Sequence, residues 1–140
     1  MKKETDILDS CDPRQCISMK MLKCNRIISQ IFREHLKEFG ITNSQLTVLF
    51  IASKREYLNQ AMLSEMLYLE KSTISRNMKR LFDKEFISRE EFPQLKITEK
   101  GKEFLRLVIP KWNSAMEEAK AKLKEEGLQS LDSLLYQLEN

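Results

Sequence analysis

Residues 71–82 read KSTISRNMKRLF and combine two kinds of side chain in one short stretch. At about 100° per residue, Ile74, Met78 and Leu81 fall on one side of a helix. Polar and basic side chains share the opposite side or its flank: Ser72, Thr73, Arg76, Asn77, Lys79 and Arg80. Short polar groups can contact base edges and cations can contact phosphates, so the pattern favours a helix that enters the major groove of DNA. An ordinary amphipathic helix on the protein surface would also carry bases on its outer side. The elements before and after this stretch are therefore needed to distinguish a DNA-binding helix from an ordinary surface helix.

Positive charge is concentrated around this stretch. The whole chain has a formal net charge of only +3, but residues 71–106 hold ten Lys or Arg against six Asp or Glu. Residues 107–140 hold four bases against six acids, and the first seventy residues hold ten against nine. The local excess of cations indicates a polyanionic partner.

The composition is typical of one mainly helical domain. With 140 residues the chain is long enough for one hydrophobic core and too short for two. Three Gly and three Pro are few for a sandwich or barrel built from many tight turns. No segment has the length and apolarity of a membrane span, and residues 1–10 lack the apolar stretch of a signal peptide. We therefore expect a cytoplasmic protein with no membrane partner.

Two helices are predicted before the polar stretch. Over residues 18–39 apolar side chains recur at steps of three and four, which predicts a long amphipathic helix that ends at Gly40. Thr42 and Gln45 have the spacing of a capping box, and the run LTVLFI that follows predicts a helix inside the core.

A third, shorter helix directly precedes the polar stretch. Asn59 can cap it. Its inward-facing side chains are predicted to be Met62, Leu63, Met66 and Leu67. Residues 68–70 would then form a tight turn into residues 71–82, and two short helices joined in this way are a helix-turn-helix candidate.

A small β-hairpin is predicted after the polar stretch. Alternation of apolar and polar side chains around Ile87 and again around Ile97, with Pro93 between them, indicates two very short strands. A hairpin that follows a helix-turn-helix is the wing of a winged helix, and such a wing reaches the sugar-phosphate backbone or the minor groove.

The C-terminal third is predicted to form a long helix and a final shorter one. Thr98 opens the long helix, Pro110 predicts a kink, and Gly127 predicts an interruption. The final amphipathic helix would carry Leu128, Leu131, Leu134, Leu135 and Leu138.

Several segments together form a specific pattern. They are GITNSQLTVLF at 40–50, LNQAMLSEMLYLEKSTISRNMKRLFDKEFISR at 58–89, and KITEKGKEFL at 96–105. With the Pro-x-Trp of Pro110 and Trp112 and the leucine-rich end, this pattern resembles the MarR-type winged helix-turn-helix transcriptional regulators. The resemblance covers nearly the whole chain.

The resemblance implies a mainly α fold, a winged helix-turn-helix with a small β-hairpin wing and N- and C-terminal dimerisation helices. We expect one domain over residues 1–140, with dimerisation helices at 18–40 and 99–140 and a DNA-binding lobe at 41–98. It further implies a cytoplasmic homodimer that places two recognition helices in successive major grooves of double-stranded DNA, at a pseudo-palindromic operator. Such a dimer would repress transcription by occluding a promoter.

The family's DNA contacts map onto the recognition helix, which we place at residues 72–84. The implied contacts are Ser72, Thr73, Ser75, Arg76, Asn77, Lys79 and Arg80, together with Arg89 and Lys96 in the wing. Family members commonly carry an Asp-x-Arg motif in a longer wing. Here the link between Arg89 and Lys96 lacks that Arg and carries Glu90 and Glu91 instead. We therefore expect the wing to contact only the DNA backbone and not to read the minor groove.

Three cysteines, Cys11, Cys16 and Cys24, lie in the first 24 residues and are expected to be reduced thiols. One branch of the resembling family senses organic hydroperoxides through a thiol that aligns here with Ser18, so no cysteine occupies the sensing position. Cys16 and Cys24 are the candidates for a redox-active thiol. The helical spacing of Cys24 from its apolar neighbours predicts that it is buried or half-buried.

No motif indicates a metal site or catalysis. His35 is the only histidine, and with Glu34 and Glu38 it does not make the Cys and His combinations that zinc favours. A phosphate-binding glycine-rich loop and a nucleophile elbow are both missing from the sequence. We expect no metal, no cofactor and no enzymatic activity.

The resemblance also implies a pocket for a small-molecule effector, of unknown identity, between the dimerisation helices and the lobe. The side chains that would line it are Met21, Phe32, Phe50, Trp112 and Met116, which would serve equally well as core. Two alternatives to a DNA-binding regulator stay open because the wing is short and acidic. One is a dimeric protein-interaction module that has lost DNA binding, and the other is a redox- or ligand-sensing module that acts on a protein partner.

Overall fold

A computed structural model describes residues 3–140, which form five α-helices and one two-stranded sheet. In chain order they are α1 (Ile17–Leu36), α2 (Asn43–Lys54), α3 (Gln60–Leu67), α4 (Lys71–Asp83), β1 (Ile87–Ser88), β2 (Lys96–Ile97) and α5 (Glu99–Glu139). Short 3-10 turns occupy Ile7–Ser10, Pro13–Gln15 and Lys37–Phe39. The mainly helical fold with a small hairpin is confirmed. Along residues 3–140, no helix has the length and apolarity needed to cross a membrane.

The predicted helix boundaries follow local hydrogen bonds. The turn after α1 ends at Gly40, whose φ of 61° lies in the left-handed region that glycine favours. Thr42 Oγ1 accepts a hydrogen bond from the Gln45 amide at 3.1 Å, and the Gln45 side chain accepts one from the Thr42 amide at 3.4 Å. Asn59 Oδ1 accepts from the Met62 amide at 2.8 Å and caps α3. The predicted capping box and the predicted cap are therefore confirmed.

The core lies where α1, α2 and α5 meet the lobe formed by the shorter elements. Leu46, Val48 and Leu49 of α2 are fully buried, as the apolar run predicted. The other long helices contribute Ile31, Phe32 and Leu36 from α1 and Leu105, Val108, Ala115 and Ala119 from α5. Full burial of one such leucine stabilises the fold by about 1.5–3 kcal/mol. Because α2 has several fully buried side chains, it is the central helix of the core.

The inward face of α3 is narrower than predicted. Leu63 is fully buried and Met62 and Leu67 are half-buried, but Met66 is exposed. The prediction that Met66 faces the core is therefore wrong. With only eight residues, α3 presents one turn to α4 and leaves the side chains at its edge in solvent.

The hairpin is antiparallel and is joined to α5 by Thr98. Ile87 lies opposite Ile97, and Ser88 lies opposite Lys96. The Thr98 amide donates to the Phe86 carbonyl at 2.9 Å, and Thr98 Oγ1 accepts from the Gly101 amide at 3.0 Å. The same threonine thus caps α5 and ties its first turn to the residue that precedes β1.

The course of α5 differs from the prediction. Its backbone angles stay helical through Pro110, and the only non-helical residue within Glu99–Glu139 is Lys124, with φ 59° and ψ 177°. Gly127, where we predicted the interruption, is helical. No described residue after Ala119 is buried, so tertiary packing does not hold the last turns in one continuous helix.

Candidate nucleic-acid interface

The recognition-helix candidate α4 is held by its apolar stripe. Ile74, Met78 and Leu81 are fully buried, as the helical spacing predicted. The helix packs against α3, where Leu63 is also fully buried. Tyr68 ends α3 in the left-handed conformation, with φ 52°, and turns the chain toward α4. A stripe of this depth fixes how α4 is rotated about its own axis and therefore which side chains face outward.

The outward side of α4 carries the predicted hydroxyl and basic groups. Its exposed side chains include Ser72, Ser75, Arg76, Lys79 and Arg80. Within residues 3–140, Arg76, Lys79 and Arg80 take part in no ion pair. Their charges are therefore available to phosphates, which is what a major-groove helix requires.

Four polar side chains of α4 take part in hydrogen bonds within the lobe. Asn77 is half-buried, and its Nδ2 donates to Ser44 Oγ of α2 at 2.9 Å. Ser75 Oγ donates to Gln60 Oε1 at 3.3 Å, and Arg76 Nη2 donates to the half-buried Thr73 Oγ1 at 3.3 Å. Ser75 stays exposed, whereas Asn77 and Thr73 lie on the flank, where the helical angles placed them.

The two predicted wing bases are both engaged by neighbouring side chains. The Arg89 guanidinium carbon lies 4.4 Å from the ring centroid of Phe82, a cation–π contact with the C-terminal part of α4. Lys96 Nζ lies 3.1 Å from Glu91 Oε2 across the hairpin. The structure therefore places Arg89 beside α4, and it places Lys96 in a pair of opposite charges. Sequence spacing offers no signal for either contact, because both partners come from the far side of a turn.

The predicted effector-pocket residues form a core cluster and one outlier. Phe50 and Trp112 pack edge to face with their ring centroids 5.3 Å apart, and Phe32 belongs to the same core. Met116 is half-buried one helical turn beyond Trp112. Met21 is 40% exposed and lies 11 residues before Phe32 on α1, which is about 16 Å along a helix.

A surface cavity of about 290 Å³ lies elsewhere, at the corner between α1 and α2. It is lined by Ser29, Arg33, Leu36, Lys37, Ile41, Thr42 and Asn43. None of the five side chains predicted to line an effector pocket lines this cavity, and their role with an effector stays a prediction.

The cysteines lie on the surface of the N-terminal region. Cys11, Cys16 and Cys24 are all exposed, so the prediction that Cys24 is buried or half-buried is wrong. Residues 17–27 are all exposed, so the first turns of α1, which include Cys24, are not packed into the core. Cys16 and Cys24 are eight residues apart at the start of α1, about 12 Å along the helix, which is too far for a disulfide within one chain.

Titratable groups outside the lobe form pairs with each other. Two side-chain hydrogen bonds from Arg14, at 3.0 and 3.2 Å, and a third from its amide lower the pKa of the Asp12 carboxyl. His35 Nε2 lies 2.7 Å from Glu118 Oε2 and joins α1 to α5. In the described part of the chain, no three His, Cys, Asp or Glu side chains converge as a metal site would require.

The helix α4 has a buried apolar stripe and an outer row of exposed cations. It is preceded by a short helix and a tight turn and followed by a hairpin, and this arrangement defines a winged helix-turn-helix protein. Residues 41–94 match the sequence model of the MarR family, which confirms the resemblance. MarR-family proteins are transcriptional regulators. No curated protein sequence matches the chain significantly.

Several solved structures share the fold over nearly the full length of both chains. The reduced form of MarR from Escherichia coli has a TM-score of 0.70 at 18% identity, covering 96% of this chain and 98% of that one. Bordetella bronchiseptica BpsR, whose DNA binding is regulated by 6-hydroxynicotinic acid, has a TM-score of 0.81 at 12% identity, covering 93% and 97%. The Mycobacterium tuberculosis MarR family protein Rv2887, in complex with DNA, has a TM-score of 0.68 at 14% identity, covering 89% and 98%. At these identities the likeness shows the fold.

Proposed function

We propose that this protein is a homodimeric DNA-binding transcriptional repressor that binds a pseudo-palindromic operator through α4. The observation that carries the proposal is the row of Arg76, Lys79 and Arg80, which are exposed and form no ion pair within residues 3–140, on a helix whose opposite side is fully buried. In a MarR-family domain this helix is the element that enters the major groove. Ser72 and Ser75 are the exposed hydroxyls near its N-terminus, and they are suited to base edges.

Exposed apolar side chains support the homodimer. They cluster at the two ends of the chain: Ile7, Leu8, Ile17, Met19 and Leu22 near the start, and Leu131, Leu134, Leu135, Tyr136 and Leu138 in the last turns of α5. Burial of such groups against a second copy is favourable at roughly 25 cal/mol per Å² of apolar area. In this proposal α1 and α5 form the dimer interface, and residues 41–98 form the DNA-binding lobe of a single domain.

Release of the operator by a small-molecule effector is the second step of the proposal. The DNA binding of BpsR, a structural relative, is regulated by 6-hydroxynicotinic acid. The dimer would have two conformations that differ in the spacing of the recognition helices. An effector would act by binding one conformation more tightly than the other, because only a difference in affinity shifts the equilibrium between them.

The proposal is tested by measuring DNA affinity in rising salt. The probe is a duplex that the protein selects from a random-sequence pool. If each subunit neutralises about three phosphates, a dimer contacts about six, and the slope of log K against log salt is about −5. Affinity then falls by roughly a thousandfold between 50 and 200 mM salt. Failure to select any duplex, or an affinity that does not change with salt, would contradict DNA binding and would favour a protein-interaction module.

A further inference from the structure

The wing lacks the excess of positive charge that α4 carries on its outer side. Its link from residue 90 to residue 95 contains two exposed carboxylates, Glu90 and Glu91, and no base. The bases at its two ends are both engaged, Arg89 with the Phe82 ring and Lys96 with Glu91. The four charged side chains of the wing therefore sum to zero, and the wing adds no net positive charge beside a helix that presents net positive charge.

Hydrogen bonds hold the wing against the lobe. The Leu95 amide donates to the Leu58 carbonyl at 2.8 Å, and Gln94 Nε2 donates to the Glu56 carbonyl at 3.0 Å. The Glu90 amide donates to Ser88 Oγ at 3.1 Å. Leu95 is buried, so the link is anchored at its C-terminal end and its two carboxylates are kept at the outer edge of the hairpin.

We propose that this wing weakens DNA binding and confines the contact to the major groove. The proposal rests on the proposed function. Because the wing of a winged helix reaches the sugar-phosphate backbone, the exposed Glu90 and Glu91 would lie near the phosphates of a duplex bound by α4, and like charges within about 10 Å repel at physiological salt. Glu91 has a second effect, because its ion pair holds Lys96 away from the DNA backbone.

The substitution Glu91→Gln tests whether the Glu91 carboxylate weakens DNA binding. It removes one negative charge per subunit and frees Lys96, without touching a buried group. On the selected duplex at low salt we expect affinity to rise about three- to tenfold. Two freed lysines per dimer should make the salt slope steeper by about 2, since each phosphate contact contributes about 0.9.

A second variant assigns the gain to Lys96. In Glu91→Gln/Lys96→Gln the slope should return to that of the parent protein, because the freed cation is no longer there. The matched control is Asp12→Asn, which removes a carboxylate from another exposed pair, with Arg14 at 3.0 Å in the segment before α1. Its affinity should stay within about twofold of the parent value, as a remote exposed charge is largely screened.

The proposal would be overturned by an unchanged or weaker affinity for Glu91→Gln, by an equal gain for Asp12→Asn, or by a steeper slope that persists in the double variant. A loss of affinity in Phe92→Ala would also overturn it, because the exposed aromatic ring would then insert into the minor groove. If the parent protein binds duplex and only the gain is missing, this inference alone fails; if the parent protein binds no duplex, the proposed function fails with it.

Discussion

At the scale of single residues, the side chains of α4 divide between outward-facing positions and positions that contact the rest of the lobe. Arg76, Lys79 and Arg80 point outward without an ion pair among the described residues, whereas Asn77 contacts Ser44 on α2. Helical angles separate the outer side from the buried stripe, so this division was predictable for the cations. Helical angles do not predict the hydrogen-bond partner of Asn77, because Ser44 is 33 residues away and on another helix.

We predict that Asn77→Ala lowers stability and leaves DNA preference unchanged. The half-buried amide loses its bond to Ser44, and one such hydrogen bond contributes about 0.5–1.5 kcal/mol. Urea unfolding measures the free energy of unfolding, and duplex selection measures base preference.

Ser44→Ala is the matched control because it removes the other partner of the same bond. It should cost a similar amount, and the double variant should cost less than the sum of the two. An altered base preference with unchanged stability would show instead that Asn77 contacts DNA.

At the scale of elements, the caps and the hairpin were predictable because their determinants are local. Thr42 with Gln45, and Asn59 with the Met62 amide, act within three residues of each other. The interruption of α5 at Lys124 was not predictable from the sequence. It occurs where burial in the core ends, and not at Pro110 or Gly127. Exposure of Met66 likewise depends on which part of α3 meets α4.

We predict that Gly101→Ala destabilises the junction between the hairpin and α5. A Cβ at this position would collide with the Phe86 carbonyl oxygen and lie 2.8 Å from Ile97 Cγ1. Overpacking of this kind costs about 1–3 kcal/mol, and it outweighs the usual gain of replacing a helical glycine by alanine. Thermal unfolding followed by circular dichroism would show a lower midpoint.

The control for this effect is Lys102→Ala, at the next and exposed position of the same turn. Its free energy of unfolding should change by no more than about 0.5 kcal/mol. Equal stability of Gly101→Ala and the parent protein would mean that α5 can move away from β1 without loss.

At the scale of the whole molecule, burial of the exposed apolar side chains at both ends of the chain against a second copy would be favourable. We predict a solution mass of about twice 16.6 kDa by light scattering. Leu135→Asp, at a side chain that is 51% exposed in one chain, should shift the mass toward a single subunit, because a buried unpaired carboxylate is strongly unfavourable. The same variant should lose operator affinity, since two half-sites are no longer bound together.

Tyr57→Asp is the control, because Tyr57 is 53% exposed on the lobe and outside the proposed interface. It should leave the mass unchanged. A parent protein that stays monomeric at micromolar concentration would exclude the symmetric arrangement of two recognition helices.

The most direct test compares two double variants that remove the same charge from different helices. Arg76→Ala/Arg80→Ala changes the outer side of α4, and Lys120→Ala/Lys122→Ala changes exposed positions of α5. On the selected duplex we predict a loss of about 1–3 kcal/mol for each base contact removed from α4, and little loss for the α5 pair. Equal losses for the two pairs, or no loss for either, would contradict the assignment of α4 as the DNA-binding helix.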